Sequence, residues 1–116
     1  MRTLGFRLGE LAQHFSDHKA EFPGLTIEVE YELRADRFLT KPVDGDTLEC
    51  YRKKPDGTPG AKVRYNKATQ EYGILGVNNH IRSYYIAGPK SSTNPRGHRF
   101  PTNLDYYNWD CQRKMW

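Results

Sequence analysis

Long apolar runs are missing from this 116-residue chain, and nothing in it approaches the ~20 residues that a membrane-spanning helix needs. The first residues lack the apolar core of a signal peptide, so an address for export is expected elsewhere, in a longer parent chain. Cysteine is scarce. Cys50 and Cys111 are too few for a disulfide framework, and their spacing matches no zinc-ligand pattern. Two reduced, partly buried thiols are the expected state, with a single bridge as the alternative. Internal repeats and low-complexity tracts are also absent, and the length suits one domain.

Polar-edged aromatics and unevenly placed charge are what the chain does have. Eight Tyr stand against five Phe and two Trp, which suits half-buried packing and equally suits stacking on unpaired bases. Residues 1–40 hold five Lys/Arg and seven Asp/Glu, a balance of −2, whereas residues 41–116 hold thirteen and seven, a balance of +6. The basic part is expected to form a cationic face that attracts phosphate.

Along the chain, Leu8, Leu11, Ala12 and Phe15 recur at helical spacing, which predicts a helix over 4–22 ended by Pro23-Gly24. Residues 26–39 fit a strand or a helix. Their length, the lack of turn signals and the early Glu28, Glu30 and Glu32 favour helix. After Pro42 and Asp44-Gly45-Asp46, strands are expected at 47–53, 62–65, 71–75 and 80–86, joined too tightly for anything but an antiparallel meander. Residues 87–102 read as a long, basic and mobile loop. Asn103 is the expected cap of a last helix that buries Leu104, Tyr107 and Cys111. The fold class is α+β: two N-terminal helices, a four-stranded antiparallel sheet and a short C-terminal helix.

Three groups of residues could carry chemistry. His14 and His18 stand at i and i+4 on one helix face with Lys19 beside them. They fit surface residues near a helix end, a metal pair (His-x-x-Asp-His lies near an inverted zinc-protease motif, with Asp for Glu), or proton-transfer groups. Lys62 and Arg64 would project together from one strand face with Thr69 at the next turn, and a guanidinium can grip phosphate through two donors. Alternation sets His80, Arg82 and Tyr84 on one face of the last strand and Ile81, Ser83 and Tyr85 on the other.

The ordered set is His14-Phe15, His18 to Phe22, then Glu28, Tyr31, Ala35 and Phe38-Leu39. It continues with Val63-Arg64-Tyr65-Asn66, Thr69, Glu71-Tyr72-Gly73, Ile81 to Tyr85 and Thr102 to Tyr107. Over roughly residues 8–110 this resembles the C-terminal toxin domains of bacterial polymorphic and contact-dependent growth-inhibition systems, of the barnase/EndoU/colicin/RelE-like ribonuclease fold. Three departures stand out: Asn78-Asn79-His80 in place of the usual Asp-Gly turn, Tyr85 where Phe is common, and a long insertion over 88–102. The resemblance implies a metal-independent endoribonuclease without cofactor, often acting on tRNA, which leaves a 2′,3′-cyclic phosphate. It also implies secretion or surface delivery within a larger protein, action in the target-cell cytoplasm, and neutralisation by a cognate immunity protein, as a monomer or a heterodimer with it. Carried onto this chain, the catalytic set is His14, His18, Lys19, Arg64, Thr69 and Tyr84. Lys62, Arg82, Arg52, Lys53, Lys54, Lys90, Arg96 and Arg99 would hold substrate phosphates, with bases on Tyr51 or Tyr85. The rival readings are a non-catalytic RNA-binding module and a small metallohydrolase using His14 and His18.

Overall fold

The computed structural model describes residues 1–113. Helix α1 spans Glu10–His18 and runs into a 3-10 turn at Lys19–Glu21, and α2 spans Glu28–Thr40. Strands β1 (Thr47–Lys53), β2 (Pro59–Asn66), β3 (Glu71–Leu75) and β4 (Ile81–Ile86) form one antiparallel sheet in sequence order. Helix α3, Asn103–Cys111, closes the fold. The architecture is the expected α+β one, and among the described residues no helix is long and apolar enough to cross a membrane.

Helix α1 is shorter than its periodicity predicts because its first residues serve the sheet instead. Leu4 N–H donates to Asn79 O at 2.8 Å, and Gly5 O accepts from Ile81 N–H at 2.8 Å, so the chain start runs beside β4. Gly9 then takes a left-handed φ of 85°, a conformation that side chains oppose, and the helix begins after it. Leu8 and Ala12 are exposed, which leaves Leu11 and Phe15 as the apolar anchors of α1.

Two cores lie on opposite faces of the sheet. Under α1 and α2, Phe6, Phe22, Tyr31, Ala35, Phe38, Leu39, Ile81 and Tyr84 are buried together. Gly73 lets α2 come this close, since a Cβ there would stand 3.0 Å from Leu39 Cδ2. On the other face Ala61, Val63, Tyr65, Tyr72, Ile74, Ala87 and Tyr107 pack under α3. Burying one ring or branched side chain of this size contributes about 1.5–3 kcal/mol.

Helix α3 needs more than apolar contact, and three polar or covalent ties supply it. Cys50 and Cys111 form a disulfide, Cα–Cα 5.8 Å, which overturns the expectation of two free thiols. Packing of β1 beneath α3 brings together two residues that are 61 positions apart. Next to it the fully buried Asp110 accepts from Arg52 at 2.6 and 3.0 Å and from the Tyr72 hydroxyl at 2.6 Å. Thr102, not Asn103, caps the helix by accepting from Asp105 N–H at 3.0 Å. Asn103 instead donates to Ala87 O and Gln70, and Leu104 is exposed.

Candidate active site

The register of the sheet decides which expected site residues can meet. Arg64, Gly73 and Tyr84 lie side by side across β2, β3 and β4, and Tyr65, Tyr72 and Tyr85 form the next row. Adjacent rows point to opposite faces. Arg64 and Tyr84 therefore face α2, whereas Tyr85 stacks on Tyr72 at 5.4 Å on the α3 side.

On the α2 side the expected chemistry is absorbed by structure. Arg64 is 5% exposed and donates to Phe38 O at 3.1 Å, to Lys41 O at 2.6 Å and to Glu49 at 2.9 Å. Its guanidinium satisfies the carbonyls at the C-terminus of α2, which a helix end otherwise leaves unpaired. Lys62 also approaches Glu49, at 3.7 Å. Tyr84 is fully buried among Phe22, Tyr31 and Phe38, and its hydroxyl donates to Glu71 while Arg34 Nε donates to it. Burial, with the Glu71 carboxylate beside it, drives that hydroxyl far above the ordinary phenol range. Thr69 is an exposed turn residue bonded to Glu71 at 2.8 Å. Arg64, Thr69, Tyr84 and Lys62 thus do not join the histidines, a correction imposed by the strand register. Tyr51 pairs with Lys62 in the register and is likewise apart from them.

The histidines sit at the β4 edge of the sheet, His14 against Phe6 at 5.0 Å and His18 turned toward the other face. Helix α1 straddles the edge strand β4, with Phe15 against Tyr31 in one core and His18 stacked on Tyr85 at 5.5 Å. His14 lies one helical turn away, its ring 6.4 Å from that of His18. Glu21 holds His18 in place. Glu21 Oε1 accepts from Ile86 N–H and Oε2 meets His18 Nδ1, both at 2.7 Å. A proton on Nδ1 completes that second bond and leaves Nε2 as a lone-pair acceptor, with no partner among the described residues. The only buried side-chain polar atom without a partner among those residues is His14 Nδ1, and the His18 side chain keeps 13% of its surface exposed. Burial, aided by neighbouring His18, lowers the His14 pKa below the ordinary imidazole value and favours the neutral ring.

Two cavities flank these rings. One of about 220 Å³ is lined by His18, Glu21, Tyr85, Arg96, Trp109 and Arg113 among others. The second, about 350 Å³, has His14, Ser83, Arg7, Arg52 and Arg82 on its walls. His14 neighbours His18 on α1 and Ser83 neighbours Tyr85 on β4, so the cavities follow one another along the strand. Five arginines border the pair. Arg52 is committed to Asp110, whereas Arg7 and Arg82 are free of ion pairs among the described residues.

The loop over 87–102 is better held than its composition suggests. His98 N–H donates to Gly88 O at 3.0 Å, Lys90 N–H donates to His98 O at 2.7 Å, and Arg96 pairs with Asp17 on α1. His98 itself is bonded at both nitrogens: Nδ1 accepts from Phe100 N–H and Nε2 meets Asn103 Oδ1 at 2.6 Å. It lines the cavity as a structural ring rather than a proton carrier. Lys19, Lys53, Lys90 and Arg99 are exposed, and Lys54 is half-buried.

Of the residues singled out in the sequence, His14, His18, Tyr85, Arg52, Arg82 and Arg96 line these two cavities, and Glu21, Ser83, Arg113 and Trp109, which were not named as site residues, line them as well. Glu21 carried one available signal: it lies three residues after His18, within reach across a helical turn. Among the described residues no group of three or more His, Cys, Asp or Glu is arranged to hold a metal ion.

No protein-family model and no curated protein matches the chain. Among solved structures, a ribonuclease from Escherichia coli complexed with its inhibitor protein is similar to it. That likeness has a TM-score of 0.45 and 19% identity, and it covers 76% of this chain and 90% of that one. A likeness of that size leaves the chemistry to be argued from the side chains themselves.

Proposed function

We propose that this chain is an endoribonuclease of the bacterial toxin type, with its centre at His18 on the α3 side of the sheet. One observation carries the reading: a carboxylate-oriented imidazole, its Nε2 free, opens into an arginine-bordered groove. His18 Nε2 takes the proton from a ribose 2′-hydroxyl, whose oxygen attacks the adjacent phosphorus. The bond to the 5′ oxygen breaks, and the imidazolium returns the proton there, leaving a 2′,3′-cyclic phosphate and a 5′-hydroxyl. Glu21 stabilises the imidazolium during the transfer. Arg96, Arg113 and the N–H of His14 answer the charge on the phosphoryl oxygens, while Arg7, Arg82, Lys19, Lys90 and Arg99 attract flanking phosphates.

The sequence resemblance supports tRNA as the substrate, delivery into a target cell from a larger parent protein, and restraint by an immunity protein. The test is incubation of purified protein with total tRNA and with DNA, each with and without EDTA. RNA alone is cut, chelator has no effect, and His18→Ala lowers the rate by about 10²–10⁴-fold while the far-ultraviolet spectrum is unchanged. Full activity in His18→Ala, or cleavage lost in chelator, overturns the mechanism. Salt-sensitive RNA binding without cleavage by the wild-type protein would leave a binding module in its place.

A further inference from the structure

The 220 Å³ cavity has two unlike walls. One is His18 stacked on Tyr85. Facing it, α3 and the preceding loop supply an aromatic wall with centroid separations of 4.7 Å for His98–Tyr106, 5.2 Å for Phe100–Trp109 and 6.0 Å for Tyr106–Trp109. Most faces of these rings are taken. His98 lies nearly parallel on Tyr106, 10° between planes, and His18 covers Tyr85. Trp109 keeps 45% of its surface exposed. Arg113 lies over the Trp109 ring, its Cζ 4.8 Å from the centroid, and Arg96 borders the same cavity.

A ring that keeps 45% of its surface exposed, with one guanidinium over it and a second bordering the cavity, suits one ligand chemistry: a planar base joined through a sugar to phosphate, which takes the place of Arg113 on the ring as Arg113 turns to the phosphate. The neighbours of Trp109 are immobilised, because Asp110 is buried against Arg52 and Cys111 is bonded to Cys50. A platform held this way loses little entropy when a ligand stacks on it. We propose that Trp109 is the stacking platform for an unpaired nucleobase beside the scissile phosphate, with Arg113 and Arg96 on the attached phosphate. This rests on the assignment of His18 as the catalytic base. It moves the base-binding role from Tyr51 and Tyr85 to a residue on α3. Stacking of this kind reads a π-face rather than a hydrogen-bond pattern, so the subsite tolerates any base.

The chain has two tryptophans, so Trp116→Phe leaves Trp109 as the only indole. In that variant adenosine 3′-monophosphate is expected to quench the fluorescence saturably, and inorganic phosphate at the same concentration is not. In cleavage assays Trp109→Ala raises KM at least about fivefold with kcat within about twofold, and Trp109→Phe recovers most of the loss. Equal quenching by phosphate, or an unchanged KM in folded Trp109→Ala, overturns the subsite. If RNA is cut but no base-dependent quenching occurs, the subsite alone fails. If the wild-type protein cuts no RNA, the ribonuclease reading fails, and the nucleotide titration still decides whether Trp109 stacks on a base.

Discussion

Tyr84 and Tyr85 are adjacent in the chain and live in different proteins, so to speak. The first is sealed between aromatic rings beneath α2 with its hydroxyl shared between Glu71 and Arg34. The second lines a cavity beneath His18. The same contrast separates the two faces of the sheet. Under α2, polar groups such as Arg64, Glu49 and Glu71 are consumed by partners within the protein. Beside α1 and α3, His18 Nε2, Ser83, Arg7 and Arg82 are left open along a groove. A polar side chain on a sheet is a candidate for chemistry only where the fold has not already used its hydrogen bonds.

Four perturbations would break or sharpen that contrast. The largest effect is expected from the α3 side, which depends on a covalent tie. Reducing the Cys50–Cys111 bridge, which closes a loop of 61 residues, should lower stability by about 4 kcal/mol on chain-entropy grounds. A urea midpoint unchanged by reductant would show that the Asp110 network holds α3 alone. On the opposite face, Arg64→Ala should cost about 3 kcal/mol, because Glu49 and two carbonyls lose their donor. Activity per folded molecule should stay within about threefold. A large drop in rate at unchanged stability would return Arg64 to the active site.

A smaller loss, about 1–2 kcal/mol with normal cleavage, is expected for Tyr84→Phe, which removes one buried hydroxyl from Glu71 and Arg34. The last effect is on pH dependence. His14 is harder to protonate folded than unfolded, chiefly through burial and then through His18, while Glu10 and Asp17 act against the shift. Below the unfolded value of 6.5 the unfolded chain binds the proton more readily. The contribution of His14 to stability is therefore complete above that pH and is lost as pH falls through the folded pKa. Chemical denaturation between pH 7 and pH 5 should show that loss, and His14→Phe should flatten it.

The comparison also explains which expectations survived. The meander was legible because turn clusters such as Pro55-Asp56-Gly57 and Asn66-Lys67-Ala68 punctuate short β-prone runs. Helix α2 was legible because thirteen residues pass without a turn signal. The start of α1 was not, since Leu4 and Leu8 keep the helical spacing although Gly5 pairs with β4. In β4 the simple alternation failed too. A bulge between the Ile74–Ser83 and Leu75–Ile81 pairs puts Ile81 in the same core as Tyr84 and leaves Arg82 exposed.

From residues alone came the order and type of the elements, the basic character of the later chain, and the pairing of His14 with His18 on one helical face. Those are local properties, set by period, turn chemistry and composition within a few residues. Tertiary structure alone decided that Cys50 meets Cys111, that Ile86 N–H anchors Glu21, and that Arg64 serves a helix end while Trp109 faces a cavity. Each depends on which strand lies beneath which helix, and contacts between residues tens of positions apart leave no periodic trace in the chain.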